Sequence, residues 1–165
     1  TVCALGRDLT ALDDPSARIW RVTNAGLVFQ DFALLAHLTA LENILLPFVL
    51  APDARAGTDE RNRARELARS LEVEHTLNRK PKRMSHGERQ RIAVCRALAT
   101  RPGLLLCDEP TASLDERRAD LVLRLLERER AERGAAILVT THDRAIADRI
   151  GSVLDLNAPH AGAVA

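Results

Sequence analysis

The sequence predicts an α/β protein with a parallel β-sheet core and a helical subdomain inserted into it. Short, continuously apolar runs at residues 25–29, 104–107 and 135–141 are typical of strands buried on both faces of a sheet. In the C-terminal half these runs alternate with amphipathic segments, which is the pattern of a parallel sheet with crossover helices. Residues 38–100 show helical patterns only, so we expect them to form the separate subdomain.

The composition excludes several classes of function. The chain has 165 residues, enough for one domain with a sizeable core. Because the net charge is +1 and aromatic residues make up 2%, we expect no nucleic acid partner. No apolar run approaches the ~20 residues that span a bilayer. Cys95 and Cys107 lie in apolar runs and are expected to be buried reduced thiols, as in a cytosolic protein.

The N-terminal part is predicted to contain two strands and little helix. Residues 2–5 form a short strand that Gly6 ends, and residues 15–21 form one or two helical turns. The apolar run at 25–29 follows, with Gln30 at its C-terminal end.

The subdomain begins with a helix that has a clear start signal. Thr39, with Glu42 three positions later, forms a capping box for a helix over residues 39–50, which Pro47 is expected to kink or end. A loop at 51–57 leads to a second helix at 58–71, whose apolar positions 64, 67, 68 and 71 share one face.

Strands and helices alternate beyond residue 100. The expected elements are a strand (104–107), a helix that Gly134 closes (114–133), a strand (135–141), a helix that Asp143 caps (144–150), a strand (153–156) and a tail (157–165). In open parallel sheets, ligands bind at the carboxyl ends of the strands. Polar residues that directly follow the strands are therefore the candidates for a site.

Two carboxylates follow the strand at 104–107. Asp108 and Glu109 would lie at the carboxyl edge of the sheet. An Asp there can hold a hydrated Mg²⁺, and a second carboxylate can orient an attacking water. Taken alone, the pattern also fits an exposed acidic turn that Pro110 closes.

A second capping box, Ser85 with Glu88, begins a helix that runs to about residue 100. The free N–H groups and the positive dipole end of such a helix start favour an anion, and Gly87 would let a phosphate approach the backbone. Taken alone, this is also the start of an ordinary capped helix.

Two further polar residues follow strands. His142 would lie at the same edge as Asp108 and Glu109, where it could hydrogen-bond a terminal phosphate. The alternative is a histidine in an ordinary capping turn. Gln30 has a similar position, although a lone Gln at a strand end is usually a turn residue.

In this order the segments resemble the ABC ATPases, which have a P-loop NTPase-like fold, up to about residue 156. Met84-Ser85-His86-Gly87-Glu88 resembles their signature motif, 104–108 the Walker B strand, and Ser113-Leu114-Asp115 the D-loop. Glu109, His142 and Gln30 match the catalytic glutamate, switch histidine and Q-loop glutamine. The stretches 26–31 and 41–47 look most like the lipoprotein-release and macrolide-export branch.

The resemblance implies an ATP-binding and ATP-hydrolysing subunit of a bacterial transporter, with ATP and Mg²⁺ as ligands. It implies these roles: catalysis by Glu109 and His142; nucleotide binding by Gln30, Ser85, Gly87, Glu88, Asp108 and Asp115; and Mg²⁺ held through water by Asp108 and Gln30. The implied partners are a second ATP-binding subunit, in a head-to-tail dimer, and membrane-spanning permease subunits. The implied location is the cytoplasmic face of the inner membrane.

The resemblance also divides the chain and exposes departures from the pattern. Core strands and Q-loop would occupy 1–37, the helical subdomain 38–100, and the Walker B to H-loop core 101–156. The phosphate loop, Gly-x-x-x-x-Gly-Lys-Ser/Thr, is absent, because the only lysines, Lys80 and Lys82, have no glycine near them. The family places this loop before the residue that is Thr1 here.

We therefore expect an N-terminally truncated chain that is inactive alone. His86 replaces a glycine and Glu88 a glutamine of the signature motif, and neither change is expected to exclude function. One alternative is a loopless half-site or regulatory partner without turnover of its own. Another alternative is a DNA-repair-type ABC ATPase. Two features of the sequence disfavour it: Gln30 and Ser85 are separated by a short segment, and there is no Cys pair at metal-ligand spacing.

Overall fold

A computed structural model describes residues 1–51 and 56–155. Its elements, in chain order, are β1 (Cys3–Ala4), β2 (Arg7–Asp8), α1 (Asp14–Asn24), β3 (Ala25–Val28), α2 (Ala40–Leu50), α3 (Thr58–Ser70), α4 (His86–Ala99), β4 (Leu104–Asp108), α5 (Glu116–Arg133), β5 (Ala136–Thr140) and α6 (Arg144–Ile150). Short 3₁₀ turns at Glu74–Thr76 and Pro81–Arg83 lead into α4. Part of the loop predicted at 51–57, the last residue of the strand predicted at 153–156 and the tail at 157–165 lie outside the described residues.

As predicted, the three strands of the core form a parallel sheet, and their order is β3-β4-β5. In the register, Val28 pairs with Cys107, and Cys107 with Val139. The segments after the three strands therefore leave the sheet at one edge. A separate antiparallel hairpin, β1–β2, replaces the single N-terminal strand that the sequence predicted.

The described residues cover only one face of the sheet well, so among them the prediction of strands buried on both faces is wrong. Val28, Leu105 and Cys107 on one face are buried in the main core. On the other face Leu106 is half-buried and Leu138 is 62% exposed. An apolar run shows that a strand could be covered on both sides, but it does not show that a covering element is present.

The middle helices α2, α3 and α4 pack on one another, and α4 also packs on β3. The predicted apolar face of α3 is buried: Ala64, Leu67, Ala68 and Leu71. At Gly26 the backbone of α4 lies so close that an added Cβ would be 2.3 Å from the Ala97 carbonyl oxygen. The helix and the strand are therefore in direct backbone contact.

The predicted capping boxes are present. The Thr39 hydroxyl accepts a hydrogen bond from the Glu42 N–H, and the Glu42 carboxylate accepts one from the Thr39 N–H at 2.7 Å. Pro47, however, does not end α2, which continues to Leu50. Its fixed φ is compatible with a helix, and the Ala51 N–H still donates to the Pro47 carbonyl at 3.1 Å.

Several boundaries also differ from prediction. Helix α1 is longer than expected, and α5 begins at Glu116 rather than 114 because the Asp115 side chain accepts the Arg118 N–H as N-cap. Residues 153–155 form no strand: Val153 and Leu154 remain 43% and 75% exposed, and they pair with none of the described strands. Cys95 and Cys107 are buried free thiols, as expected, and burial raises the pKa of each to about 12.

Candidate functional site

The paired carboxylates lie at the end of β4, where the sequence places them. Asp108 accepts a hydrogen bond from the Thr140 hydroxyl at 2.5 Å, which links the ends of β4 and β5. Glu109 has a left-handed backbone (φ 47°), a costly conformation for a non-glycine residue that commonly marks functional sites. Its N–H donates to the Thr140 carbonyl at 3.0 Å, so the neighbouring strand holds this turn.

The Glu109 carboxylate and His142 are in direct contact. Glu109 Oε1 lies 2.6 Å from His142 Nδ1 and also accepts the backbone N–H of His142 at 3.0 Å. The other carboxylate oxygen, Oε2, has only a long contact of 3.4 Å from the Thr141 hydroxyl. Oε2 is therefore the oxygen available to a water, while Oε1 fixes the orientation of the carboxylate.

This contact predicts a pH-dependent pair. The hydrogen bond to Glu109, followed by its negative charge, raises the pKa of His142 above the ordinary value of 6.5. The stabilisation of the folded state by the Glu109–His142 pair is therefore fully present below about pH 6.5, and it is lost as the pH rises through the raised pKa of His142. In an NMR titration, His142 should titrate above free histidine, and Glu109→Gln should return it towards 6.5.

Glu116→Gln, at the exposed start of α5, is the matched control and should leave the His142 titration unchanged. A His142 that titrates at or below the value of free histidine would contradict the contact.

A buried amide that the sequence analysis did not select supports this turn. Gln90 of α4 is 2% exposed. Its Nε2 donates to the Glu109 carbonyl at 2.8 Å, and its Oε1 accepts the Ser113 N–H at 3.0 Å. Gln90 thus joins the glutamate turn to the loop before α5. The available signal was a polar residue on a helix face that is otherwise apolar.

The segment after β3 is held by a second residue that was not selected. Phe32 and Ala33 both have positive φ. The buried Arg96 guanidinium donates to both of their carbonyls, at 2.8 and 2.5 Å. Burial lowers the pKa of Arg96. This arginine compensates for the strain in the turn that follows Gln30.

A pocket of about 560 Å³ brings Gln30, Asp108 and Glu109 together. The same pocket is lined by Gln90, Ser113 and His86. Carboxylate and amide oxygens are the hard ligands that Mg²⁺ accepts, usually through retained water, so Asp108 and Gln30 fit the predicted ion chemically. Three of the site residues predicted from the sequence thus share one cavity, and His142 contacts it through Glu109.

A second, polar pocket of about 310 Å³ lies at the N-terminus of α4 and is lined by Ser85, Gly87, Glu88 and Asp115. Glu88 Oε2 accepts the Ser85 N–H at 2.7 Å, and Glu88 Oε1 lies 2.9 Å from His75 Nε2. Although burial opposes it, the hydrogen bonds from Ser85 and His75 lower the pKa of Glu88. The predicted residues therefore divide between two pockets, four in each when His142 is counted with the first.

Gly87 has a packing role that was not predicted. A Cβ at this position would lie 3.2 Å from both Leu114 Cδ2 and the Ser113 carbonyl. The absence of a side chain lets the start of α4 approach the loop before α5. The access of a phosphate to this backbone, which the sequence suggested, stays a prediction.

His86, which stands where the resemblance expects glycine, reaches across to two loops. Its Nδ1 lies 2.7 Å from the Ser113 hydroxyl. Its ring meets Phe32 edge to face, with centroids 4.6 Å apart. The substitution is accommodated without disturbing the capping box, as the Ser85 hydroxyl still accepts the Glu88 N–H at 3.2 Å.

Comparison with known proteins gives consistent similarities. The family model described as ABC transporter matches residues 2–112. The chain is 39% identical to "Lipoprotein-releasing system ATP-binding protein LolD 2" of Caulobacter vibrioides over 94% of its own length and 67% of that protein. It is 42% identical to "Lipoprotein-releasing system ATP-binding protein LolD" of Xanthomonas campestris pv. campestris, over 94% of the chain and 64% of that protein. The chain thus spans about two thirds of the length of these relatives.

Solved structures give the same result. A dimeric post-hydrolysis state of the ATP-binding cassette MJ0796, bound to ADP and Pi, superposes with a TM-score of 0.82 at 36% identity. The match covers 88% of this chain and 64% of that one. A second dimeric structure of MJ0796, described as a bacterial ABC transporter cassette, has a TM-score of 0.78 at 38% identity, over 84% of this chain and 60% of that one.

Proposed function

The chain belongs to the ABC transporter family, whose cassettes are ATPases, and from that premise we propose that it forms the catalytic-glutamate and signature-motif part of an ATP-hydrolysing transporter subunit. One observation carries the proposal: the Glu109 carboxylate, fixed through Oε1 by His142, lies beside Asp108 at the carboxyl edge of the parallel sheet. This arrangement suits hydrolysis of a terminal phosphate by an oriented water.

In the proposed reaction, water attacks the γ-phosphorus and the bond to the ADP oxygen breaks. Glu109 Oε2 accepts a hydrogen bond from the attacking water and takes its proton. His142 orients the carboxylate and is available to hydrogen-bond a γ-phosphate oxygen. Asp108 and Gln30 would hold Mg²⁺ through water, and the ion would neutralise charge on the phosphates.

The two pockets suit a head-to-tail dimer of such subunits. Ser85, Gly87, Glu88 and Asp115 line the pocket at the start of α4, and Asp108 and Glu109 line the other pocket. We propose that Ser85 and Gly87 contact the nucleotide of a second ATP-binding subunit. The dimeric state of the MJ0796 structures supports this proposal by similarity.

An apolar groove supports a proposed contact with permease subunits. The groove, of about 250 Å³, is lined by Phe29, Leu46, Pro47 and Leu50 among others, with Arg18 and Arg21 at α1. In the described ranges no helix is long and apolar enough to cross a membrane. We propose that membrane-spanning subunits dock on this groove, which would hold the protein at the cytoplasmic face of the inner membrane. The LolD relatives suggest lipoprotein release as the process powered.

The chain as it stands is expected to bind ATP weakly, with a dissociation constant well above the micromolar range. It contains no phosphate-loop sequence, and such a loop supplies the backbone amides and the lysine that hold the β- and γ-phosphates. Isothermal titration of this chain with Mg-ATP measures the affinity.

A micromolar ATP affinity would contradict that prediction. The proposed function itself is tested by adding a phosphate loop ahead of this chain and measuring Mg²⁺-dependent ATP hydrolysis. A loop-bearing form that binds ATP and dimerises but never hydrolyses it would favour the half-site alternative.

A further inference from the structure

Helix α6 begins just after His142 and is only lightly packed on the described part of the chain. None of its residues is buried, and Ile150, its last residue, is partly buried against the core. The Asp143 side chain caps the helix by accepting the N–H groups of Ala145 and Ile146. His142 therefore lies between β5, which the sheet holds, and a short helix whose position depends on its other contacts.

Arg149 joins α6 to α5 through all three nitrogens of its guanidinium. Its Nε donates to Glu127 Oε1 at 2.7 Å and its Nη2 to Glu127 Oε2 at 3.1 Å, so this pair is bidentate. Its Nη1 donates to Asp120 Oδ1 at 2.7 Å. Asp120 and Glu127 lie about two turns apart on one face of α5. One arginine at the end of α6 thus binds two turns of the neighbouring helix.

This cluster is stronger than an ordinary surface ion pair. An isolated exposed pair contributes little, but a bidentate arginine in a network of charges, with side chains only about one-third exposed, contributes more. The hydrogen bonds to Glu127 and then to Asp120 raise the pKa of Arg149, and Arg149 lowers the pKa of both carboxylates. A further contact lies beside it, since the Arg130 guanidinium of α5 donates to the Ile150 carbonyl.

We propose that Arg149 is a positioning residue for His142: by holding α6 against α5, it keeps the His142 side chain in contact with Glu109. Arg149 fixes the last turn of α6, and Asp143 fixes the first turn to the segment that carries His142. Both the N–H and Nδ1 of His142 meet Glu109 Oε1. Because α6 is only about 10 Å long, loss of the contact at its far end would let the whole helix pivot about the end of β5.

The proposal rests on the function proposed above only for the claim that this contact serves ATP hydrolysis. The contact itself is measured without ATP, by an NMR titration of His142 in this chain. In Arg149→Gln, which cannot bridge the two carboxylates, the pKa of His142 should fall towards that of free histidine. Removal of a positive charge would by itself raise the pKa of a histidine, so a fall has to come from the loss of the Glu109 contact.

Arg144→Gln is the matched control. It removes the same charge from the same helix, but the ion pair of Arg144 with Asp148, at 3.1 Å, stays within α6. It should not lower the pKa of His142. An equal fall in Arg144→Gln, or no fall in Arg149→Gln, would overturn the proposal. If Arg149→Gln does not fold, Glu127→Gln breaks the same bidentate pair from the side of α5 and should give the same fall.

A second arm measures catalysis in a loop-bearing cassette. Arg149→Gln should lower kcat by about fivefold or more and leave the KM for ATP unchanged, because Arg149 lines neither nucleotide pocket. Arg144→Gln should keep the wild-type kcat. A wild-type kcat in Arg149→Gln would overturn the positioning role in catalysis. Failure of the wild-type cassette to hydrolyse ATP would overturn the proposed function instead, while the titration of His142 would still test its dependence on Arg149.

Discussion

Glu109→Gln is expected to lower ATP turnover by about 10²- to 10⁴-fold in a loop-bearing form of the protein, while ATP still binds. The amide keeps the size of the carboxylate, and its oxygen can still accept the His142 N–H, but it cannot take a proton from water. Bound ATP is therefore not hydrolysed, and the closed dimer accumulates. Single-turnover hydrolysis and the size of the protein in the presence of Mg-ATP measure the two effects.

Glu116→Gln serves as the control for that experiment. It makes the same chemical change at the first residue of α5, an exposed position that lines neither pocket. It should keep full turnover and release the dimer normally. Normal turnover in Glu109→Gln would remove Glu109 from the proposed mechanism.

Gly26→Ala is expected to destabilise the folded chain by about 1–3 kcal/mol or more, as overpacked cores do. The new Cβ would lie 2.3 Å from the Ala97 carbonyl, 2.7 Å from Leu105 Cδ2 and 2.9 Å from Pro102 Cγ. A carbonyl of the backbone cannot rotate away, so β3 and α4 would have to separate. Urea denaturation of the two proteins measures the loss in the free energy of unfolding.

The same substitution at Gly57 is the control. There the nearest atom to an added Cβ is a Glu60 carboxylate oxygen at 3.1 Å, at the end of a side chain that can move. Gly57→Ala should change the free energy of unfolding far less than Gly26→Ala. Equal effects would show that the backbone contact between β3 and α4 does not limit stability.

Patterns that are local in sequence were predictable. Capping boxes need residues only three positions apart, so Thr39 with Glu42 and Ser85 with Glu88 could be recognised directly. The convergence of Glu109 and His142 was also predictable, because a parallel sheet brings the ends of its strands to one edge.

Contacts between distant parts of the chain were not predictable in the same way. Gln90 and Arg96 bind groups that lie far away in sequence, and both occur in a helix whose pattern shows only that it is buried. The exposure of the sheet face at Leu138 was not predictable either, because an apolar run contains no information about what covers it.

Helix α4 also has a mechanical consequence. Its 14 residues make a rod of about 21 Å. One end carries the capping box at Ser85, the middle holds the Glu109 turn through Gln90, and the far end holds the turn after Gln30 through Arg96. At Gly26 the backbone of β3 is in contact with α4. We therefore expect a displacement of the N-terminus of α4 to move the whole helix as a rigid body. Amide hydrogen exchange should accordingly find α4 and β3 opening as one cooperative unit, slower than the exposed helix α6.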